Sequence, residues 1–282
     1  MSEERWFKLS LDAPPGPREA LEVLLVDWGA GGTADENGTL VAYFPASARK
    51  EVEGRLVRYA TDLGSPLGWR WEDEPAADWR DRWRRFYRPL RVSRRLGVCP
   101  SWEKWPGPEE GICVIRVDPG RAFGTGSHET TRLCLRLIDD LLADRQVARM
   151  LDVGCGSGIL SIAAALLGVS RVIALDVDPW ATEASRENAL RNGVAPRIRV
   201  VRGDVRCLRG TYPVVVANIL FPVLAGTAPE LARRVEPGGY LVLSGFLAPE
   251  LKPMERIYRA RGLHPAGEST EGEWGALVLR RV

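Results

Sequence analysis

Two glycine-rich segments stand close together in this sequence and carry most of the residues that could do chemistry. RAFGTGSHETT spans residues 121–131 and adds a serine, a histidine and two adjacent threonines to its glycines, and LDVGCGSGIL spans residues 151–160. The second segment follows an apolar run and precedes a helical one, so its backbone amides should face a ligand at the carboxyl edge of a parallel sheet. Its glycines, Gly154, Gly156 and Gly158, follow the spacing G-x-G-x-G.

The spacing of these glycines argues against a phosphate ligand. The dinucleotide fingerprint is G-x-G-x-x-G, and Ile159 occupies the position of its last glycine. A phosphate-binding P-loop needs G-x-x-x-x-G-K-[ST], which occurs nowhere in the chain. We therefore expect a nucleoside with a non-phosphate tail. The alternative for the glycines alone is a tight turn between strand and helix that binds no ligand.

An acidic residue favours the nucleoside interpretation. Asp176 ends the apolar run IALD, about twenty residues past the glycines, where a carboxylate can accept hydrogen bonds from both ribose hydroxyls. Asp178 directly precedes a proline and is interpreted as the cap of the next helix. The glycines and Asp176 together predict a nucleoside site.

A series of strands and helices that alternates from Ile112 onward must position these residues. Apolar runs predict strands over residues 112–117, 148–154, 171–178, 198–204, 214–220 and 240–246. Helical patterns fall between them, over residues 130–142, 159–168 and 179–193. The last segment, 264–282, is compatible with a closing β-hairpin at the sheet edge. This alternation predicts an α/β fold with a doubly wound, mostly parallel sheet.

The first seventy-odd residues predict a smaller α+β unit with the element order βαββαβ. Strands are predicted over 5–11 and 68–74, helices over 17–29 and 46–64, and a hairpin around Asn37-Gly38. The apolar side of the second helix is predicted to contain Val52, Leu56, Val57, Tyr59 and Ala60. This order matches the ferredoxin-like split arrangement, which hosts many functions.

The domain boundaries follow from this division. We predict a small N-terminal domain over residues 1–76, a connecting helix or linker over 77–92 and a larger domain over 93–282. The stretch DWRDRWRRFYRPLRVSRR, residues 78–95, contains eight arginines, two tryptophans, one phenylalanine and one tyrosine. It is interpreted first as an amphipathic helix with Trp79, Trp83 and Phe86 docked, and as an RNA-binding stretch in the alternative.

Composition excludes several classes of function. The net charge is +2 over 282 residues, which gives no overall argument for nucleic acid as a partner. The five cysteines lack C-x-x-C spacing and the chain has two histidines, so no metal site is expected. The sequence contains no apolar run of about twenty residues, so no membrane span is predicted. The N-terminus has no signal-peptide pattern, so a cytoplasmic protein is expected.

Taken as a set, the motifs LDVGCGSGILSIAA, VIALDVD, VVVANIL and PGGYLVLSG resemble the core of class I S-adenosylmethionine-dependent methyltransferases. The resemblance implies S-adenosyl-L-methionine as the cofactor and a Rossmann-like sheet of seven strands. The further motifs DPGRAFGTGSHETTRLCL, NIL, LSGFL and EGEW resemble one branch, the bacterial methyltransferases of large-subunit ribosomal protein eleven. This branch implies a ribosomal protein as the partner, methylated on lysine side-chain and N-terminal α-amines, and a substrate-recognition role for the N-terminal domain.

The resemblance also implies which residues bind the cofactor. The positions of Thr131, Gly154, Asp176 and Asn218 contact it in the family, and Gly156 and Gly158 complete the same loop. Thr130, at the start of a predicted helix, is expected to help hold the amino-acid tail, with helix capping as the alternative. Asp204 follows the next strand, where many class I enzymes hold the adenine amino group, although this branch does not always keep an acid there.

Two residues are candidates for catalysis. Asn218 occupies the place where amine and amide methyltransferases carry Asn-Pro-Pro-Tyr, but Ile219-Leu220-Phe221-Pro222 follows it here. This departure favours an alkyl amine, which needs an aliphatic channel more than a flat amide clamp. His128 is a candidate general base, with hydrogen bonding or packing within its segment as the alternative, and a water could remove the proton instead.

Two other functions stay open on the sequence alone. An RNA or small-molecule methyltransferase could use the same core, and a non-catalytic cofactor-binding module is a second alternative. The sequence does not determine which amines are methylated, how many methyl groups each receives, or the oligomeric state.

Overall fold

The structure is a computed structural model and divides by its contacts into two compact units, Met1–Arg88 and Pro89–Val282. It describes residues 6–13, 18, 21, 22, 24–26, 28–36, 38–64, 67–74, 87–108, 110–118 and 123–282. Most of the connecting helix predicted over 77–92, residues 77–86, lies outside the described residues. Its boundaries and those of the two domains stay predictions.

The N-terminal unit is built on a four-stranded antiparallel sheet. Its strands are β1 (Trp6–Asp12), β2 (Gly32–Glu36), β3 (Thr39–Pro45) and β4 (Gly68–Glu74), and their order in the sheet is β2-β3-β1-β4. The described residues between 18 and 26 are helical, and α1 spans Arg49–Leu63. With βαββαβ connectivity, this strand order is that of the ferredoxin-like arrangement, as the sequence predicts.

The helix α1 follows its predicted pattern with one exception. Val52 and Leu56 are buried at i, i+4 spacing, and the helix ends at Gly64, whose φ of 62° is left-handed. Val57 was assigned to the apolar side, and that assignment is wrong because its exposure is 52%. One residue along a helix turns the side chain about 100°, which carries Val57 away from the face that holds Leu56.

The hairpin predicted around Asn37-Gly38 joins β2 to β3, where Glu36 pairs with Thr39. Asn37 itself lies outside the described residues. Gly38 has a φ of 88° and donates its N–H to Asp35 Oδ1 at 2.8 Å. A two-residue hairpin turn favours such positive φ values, which glycine adopts without steric cost.

The second unit contains a seven-stranded, mostly parallel sheet. Its strands are β8 (Arg149–Val153), β9 (Arg171–Asp176), β10 (Ile198–Arg202), β11 (Tyr212–Asn218), β12 (Val235–Leu247), β13 (Leu263–Glu271) and β14 (Trp274–Arg281). The order is β10-β9-β8-β11-β12-β14-β13, with the first four pairings parallel and the last two antiparallel. The predicted α/β class, the seven strands and the closing hairpin are confirmed.

Helices cover both faces of this sheet. They are α2 (Glu129–Ala143), α3 (Ile159–Leu166), α4 (Pro179–Arg191), α5 (Phe221–Gly226), α6 (Ala228–Arg234) and α7 (Leu251–Arg259). In β11, Val214 and Val216 belong to the core with Ile138 of α2, whereas Val215 and Ala217 belong to the opposite core. A strand buried on both faces reads as a continuous apolar run, which explains why this segment contains VVVA.

The strand predicted over 112–117 exists but does not join the main sheet. It is β7 (Cys113–Val117), which pairs in parallel with β6 (Leu96–Pro100) in a separate three-stranded sheet with β5 (Leu90–Arg91). The expectation that it opens the alternating series of the main sheet is therefore wrong. Apolar periodicity identifies a strand but not its neighbour, and β6 lies just upstream in the chain. Across the described residues, no helix is both long and apolar enough to cross a membrane.

Candidate active site at the carboxyl edge of the sheet

The glycines of the second glycine-rich segment are required by close contacts. Gly154 has a φ of 73°, and a Cβ there would lie 2.3 Å from Ile219 Cγ2. Gly156 has a φ of 51°, and its Cβ would lie 2.5 Å from the carbonyl oxygen of Phe123. Gly158, with a φ of 82°, is the N-cap of α3. A side chain at these positions would be both strained and sterically blocked.

The two glycine-rich segments are bonded to each other. The Ser157 N–H donates to the Phe123 carbonyl at 2.8 Å, and the Ser157 hydroxyl donates to the Gly124 carbonyl at 2.5 Å. Gly124 has a φ of 99°, and a Cβ there would lie 2.9 Å from Ser157 Oγ. The close pair of glycine-rich segments thus forms one wall at the start of α2 and α3.

Asp176 stands at the end of β9 with its carboxylate held by backbone amides. Its Oδ2 accepts from the Gly156 N–H at 2.9 Å, and its Oδ1 accepts from the Asp178 N–H at 3.0 Å. A carboxylate has about four lone-pair sites, so these two bonds leave acceptor capacity for a ligand. Asp178 in turn caps α4, its Oδ1 accepting from Trp180 N–H at 2.9 Å, as the sequence predicts.

Asn218 ends β11 and carries an unsatisfied acceptor. Its Nδ2 lies 3.5 Å from Thr131 Oγ1, and Thr131 is 1% exposed. The Asn218 Oδ1 atom is buried and accepts no hydrogen bond from any described residue. Leaving a buried acceptor unpaired costs about 1–3 kcal/mol, so the atom marks a place where a ligand can supply the missing donor.

His128 caps the start of α2. Its Nδ1 accepts from the Thr130 N–H at 3.3 Å and lies 2.8 Å from Thr130 Oγ1. Its ring packs edge-on against Phe123 and Trp274, with centroid distances of 5.3 and 4.9 Å. Burial lowers the pKa of His128 and so favours the neutral ring. The Thr130 hydroxyl and His128 therefore engage each other, and their predicted ligand and base roles stay predictions.

Asp204 has a different environment. Its Oδ1 accepts from the Arg206 N–H at 2.9 Å and from Arg206 Nε at 2.7 Å, and Oδ2 accepts from Nη2 at 3.1 Å. Hydrogen bonds to Arg206 lower the pKa of this carboxyl group. The contact of Asp204 with adenine stays a prediction, and a ligand there would compete with a guanidinium.

One buried acid, Asp152, is not among the site residues predicted from the sequence. Asp152 is fully buried in β8, where its Oδ2 accepts from Ser161 Oγ at 2.7 Å. No described residue donates to its Oδ1, and burial raises its pKa to about 7. Asp152 is recognisable in the sequence as a candidate, because burying a carboxylate inside the apolar run MLDV carries a large desolvation cost.

Comparisons with known proteins agree on one family. The model of the family described as ribosomal protein L11 methyltransferase (PrmA) matches residues 19–282. The ribosomal protein L11 methyltransferase of Pelotomaculum thermopropionicum is 36% identical over 308 aligned residues, covering 98% of each chain. That of Symbiobacterium thermophilum is 41% identical over 241 residues, covering 82% of this chain and 77% of the relative.

A solved structure shares the fold of the greater part of this chain. The crystal structure of a ribosomal protein L11 methylase from Lactobacillus delbrueckii subsp. bulgaricus superimposes with a TM-score of 0.64 at 31% identity. The match covers 70% of this chain and all of the other chain. Sequence and fold therefore point to the same relatives.

Proposed function

This chain belongs to the ribosomal protein L11 methyltransferase family, and from that premise we propose that it methylates amines of ribosomal protein L11. The methyl donor is S-adenosylmethionine. The acceptors are lysine side-chain amines and the N-terminal α-amine of the substrate, and the reaction takes place in the cytoplasm.

The observation that carries the proposal is the buried, unpaired Oδ1 of Asn218 at the end of β11. An amine that enters the site can donate a hydrogen bond to this oxygen. Ile219 and Leu220 follow directly, and Leu220 is 47% exposed. An acceptor beside an exposed aliphatic side chain suits an alkyl amine, whose chain is apolar and whose head is a donor.

The residues of the edge also fit the methyl donor. The glycines of the second glycine-rich segment allow the left-handed backbone and the close packing that shape this edge, and Asp176 keeps lone pairs available to ribose hydroxyls. The start of α2 presents helix N–H groups and the buried Thr131 hydroxyl, which suit a carboxylate tail. Asp176, Gly154, Gly156, Thr131 and Asn218 would therefore hold the donor.

When bound, the donor supplies an activated methyl group on a sulfonium, and the residues of the chain orient the amine that receives it. Positioning supplies most of the catalysis in such a displacement. A lysine amine has a pKa of about 10.4, so presenting its neutral form at pH 7 costs on the order of 4 kcal/mol. Because Asn218 Oδ1 is an acceptor without a charge, it can orient an N–H of the neutral amine with its lone pair free.

The proton of the amine has two possible acceptors near the site. Burial lowers the pKa of His128 and so favours its neutral ring, but its Nδ1 is already engaged by Thr130. A low pKa also makes the ring a weak base toward an alkylammonium ion. We propose that the proton leaves to water and that His128 holds the helix start.

The proposal is tested by incubating the purified chain with isotopically labelled S-adenosylmethionine and purified ribosomal protein L11. The expected result is label in L11, which peptide mass spectrometry assigns to lysine side chains and the α-amine. Parallel reactions with ribosomal RNA and with L11 whose amines are chemically blocked are the controls. Label in RNA alone, or label on blocked L11 equal to that on free L11, contradicts the proposal.

A further inference from the structure

The turn between the last two strands contacts the start of α2. This C-terminal turn, Glu271–Trp274, connects β13 to β14 and contains the sequence EGEW. It lies at the end of the chain, far in sequence from both glycine-rich segments. Its two ends carry the side chains that make the contacts, Glu271 on one side and Trp274 on the other.

Glu271 binds two arginines that lie one helical turn apart on α2. Its Oε1 accepts from Arg132 Nε at 2.8 Å, and its Oε2 accepts from Arg136 Nη1 at 2.8 Å. The side chains of Arg132 and Glu271 are only 16% and 25% exposed, so this ion pair is screened less than a surface pair. Burial opposes ionisation of Glu271, but the two arginines outweigh it and lower its pKa.

Arg132 extends the contact to the first glycine-rich segment. Its Nη1 donates to the carbonyl oxygen of Ser127, and its Nη2 donates to Glu129 Oε1 at 2.9 Å. Both residues immediately flank His128, the N-cap of α2. One guanidinium thus joins the C-terminal turn, the end of the first glycine-rich segment and the first turn of α2.

Trp274 makes a second contact with the same segment. Its ring meets the His128 ring edge-on at 4.9 Å, and His128 in turn meets Phe123, whose carbonyl accepts from Ser157. An edge-to-face arrangement is a favourable geometry for contact between aromatic rings. The contacts of Glu271 and Trp274 therefore converge on the same few residues.

The C-terminal turn is itself anchored to the sheet. The Ala248 N–H donates to the Glu273 carbonyl at 2.7 Å, and Trp274 pairs with Leu247 at the end of β12. Because β12 neighbours β11, the turn is anchored to the strand next to the one that ends at Asn218. A rigid base on one side and an ion pair on the other are what a positioning element requires.

We propose that Glu271 is a positioning residue for the methyl donor. By holding Arg132 and Arg136, it keeps the first glycine-rich segment and the start of α2 in the arrangement that binds the donor, with Thr131 next to Asn218. The inference rests on the donor binding proposed above. Glu271 does not touch the reacting atoms in this role, and it acts through the two arginines and the Ser127 carbonyl.

The test compares Glu271→Gln with Glu268→Gln in the full chain by calorimetric titration with S-adenosylmethionine. Glu268 is a matched control, because it lies on the same strand and pairs with a cation, Lys252, at 3.7 Å. We expect Kd for the donor to rise at least about fivefold in Glu271→Gln, the lower end of ordinary coupling between sites. KM for the donor should rise equally while kcat changes little. A Kd equal to that of the wild type overturns the inference.

A second readout needs no donor. The chain has two histidines, so the Hε1 resonance of His128 can be followed by NMR with the exposed His264 as internal reference. We expect Glu271→Gln to shift the His128 resonance and leave that of His264 in place. An unchanged His128 resonance overturns the positioning claim, whereas wild-type protein that binds no donor overturns the proposed function instead.

A milder variant covers the case in which Glu271→Gln does not fold. Arg136→Gln removes one arm of the contact and leaves Arg132 on Glu271. We expect it to raise Kd for the donor about twofold to fivefold, because hydrogen bonds to charged groups at partly exposed sites contribute modestly. An unchanged Kd in a folded Arg136→Gln protein overturns the inference as well.

Discussion

Two aspartates lie at the ends of the neighbouring parallel strands β9 and β10, and their carboxylates have different hydrogen-bond partners. Asp176 closes β9 and is held by the amides of Gly156 and Asp178. Asp204 lies two residues beyond β10 and is held by the guanidinium of Arg206. The two strand ends are linked, since the Gly203 N–H donates to the Asp176 carbonyl at 2.8 Å.

The difference shows what makes an acid at a strand end available for binding. Backbone amides orient the Asp176 carboxylate without supplying a counter-charge, so its charge and remaining lone pairs face the edge of the sheet. The Arg206 guanidinium supplies Asp204 with a counter-charge and side-chain hydrogen bonds to both of its oxygens. We therefore expect the partner of the carboxylate, and not its position after a strand alone, to determine whether it binds a ligand.

Removing each carboxylate in turn tests the expected difference between Asp176 and Asp204 in donor binding. Asp176→Ala should raise Kd for S-adenosylmethionine about 100-fold, because two hydrogen bonds to a charged acceptor contribute about 3 kcal/mol together. Asp204→Ala is the matched control and should stay within about threefold of the wild type. Calorimetric titration measures both values. Equal losses in the two variants would contradict the distinction between the strand ends.

A second variant removes the support of Asp176 and leaves its carboxylate intact. Gly156→Ala places a Cβ about 2.5 Å from the Phe123 carbonyl at a φ of 51°, and such backbone strain costs about 2 kcal/mol. We expect Kd for the donor to rise about 30-fold, since the strained segment must return to its place to bind. The measurement is calorimetric titration of the folded variant.

The control for this substitution is Gly168→Ala. Gly168 also has a positive φ, 107°, but no atom lies within 4 Å of its Cβ position. It should lower the free energy of unfolding and leave Kd for the donor unchanged. A rise in Kd for Gly168→Ala as large as that for Gly156→Ala would mean that general strain, not the support of Asp176, weakens binding.

A third strand, β11, ends in an uncharged acceptor, because the Asn218 Oδ1 atom is satisfied by no described residue. Asn218→Ala should lower kcat for L11 methylation about tenfold, since one hydrogen bond is worth about 1 kcal/mol or slightly more. Asn192→Ala serves as control, because the Asn192 side chain forms hydrogen bonds with backbone groups of Arg116 and Asn188. Steady-state kinetics with L11 should show unchanged kcat in Asn192→Ala.

The smallest expected effect concerns the pH dependence of stability at Asp204. Hydrogen bonds to Arg206 lower the folded-state pKa of Asp204 below 3.8. The pair therefore stabilises the folded chain above pH 3.8 and loses this contribution as the pH falls through the folded-state pKa. Asp204→Asn should flatten the stability profile slightly in that acidic range, as measured by chemical unfolding. A steeper acid dependence in Asp204→Asn would contradict this assignment.

Much of the fold was predictable because its signals are local. Apolar runs gave the five parallel strands of the main sheet and glycine spacing gave the turn before α3, since both depend on a few adjacent residues. The position of Asp176 followed from the same local spacing. Sheet membership did not, because β7 has the composition of a main-sheet strand and pairs instead with β6.

The parts of the site that escaped prediction depend on long-range contacts or rotamers. Arg132 and Glu271 are 139 residues apart in the chain, so no periodicity connects them. Arg206 lies two residues from Asp204, but only its rotamer shows that it occupies the carboxylate. Asp152 could have been identified, because an acid in an apolar strand carries a desolvation cost that sequence analysis alone can recognise.

We propose that the edge around Asp176 and Asn218 holds the methyl donor. The decisive measurement is a crystal structure of the chain with S-adenosylhomocysteine. We expect both ribose hydroxyls within hydrogen-bond distance of the Asp176 carboxylate, with Asp204 still bonded to Arg206. A ribose bound to Asp204, or a ligand bound away from the ends of β9 and β11, would contradict it.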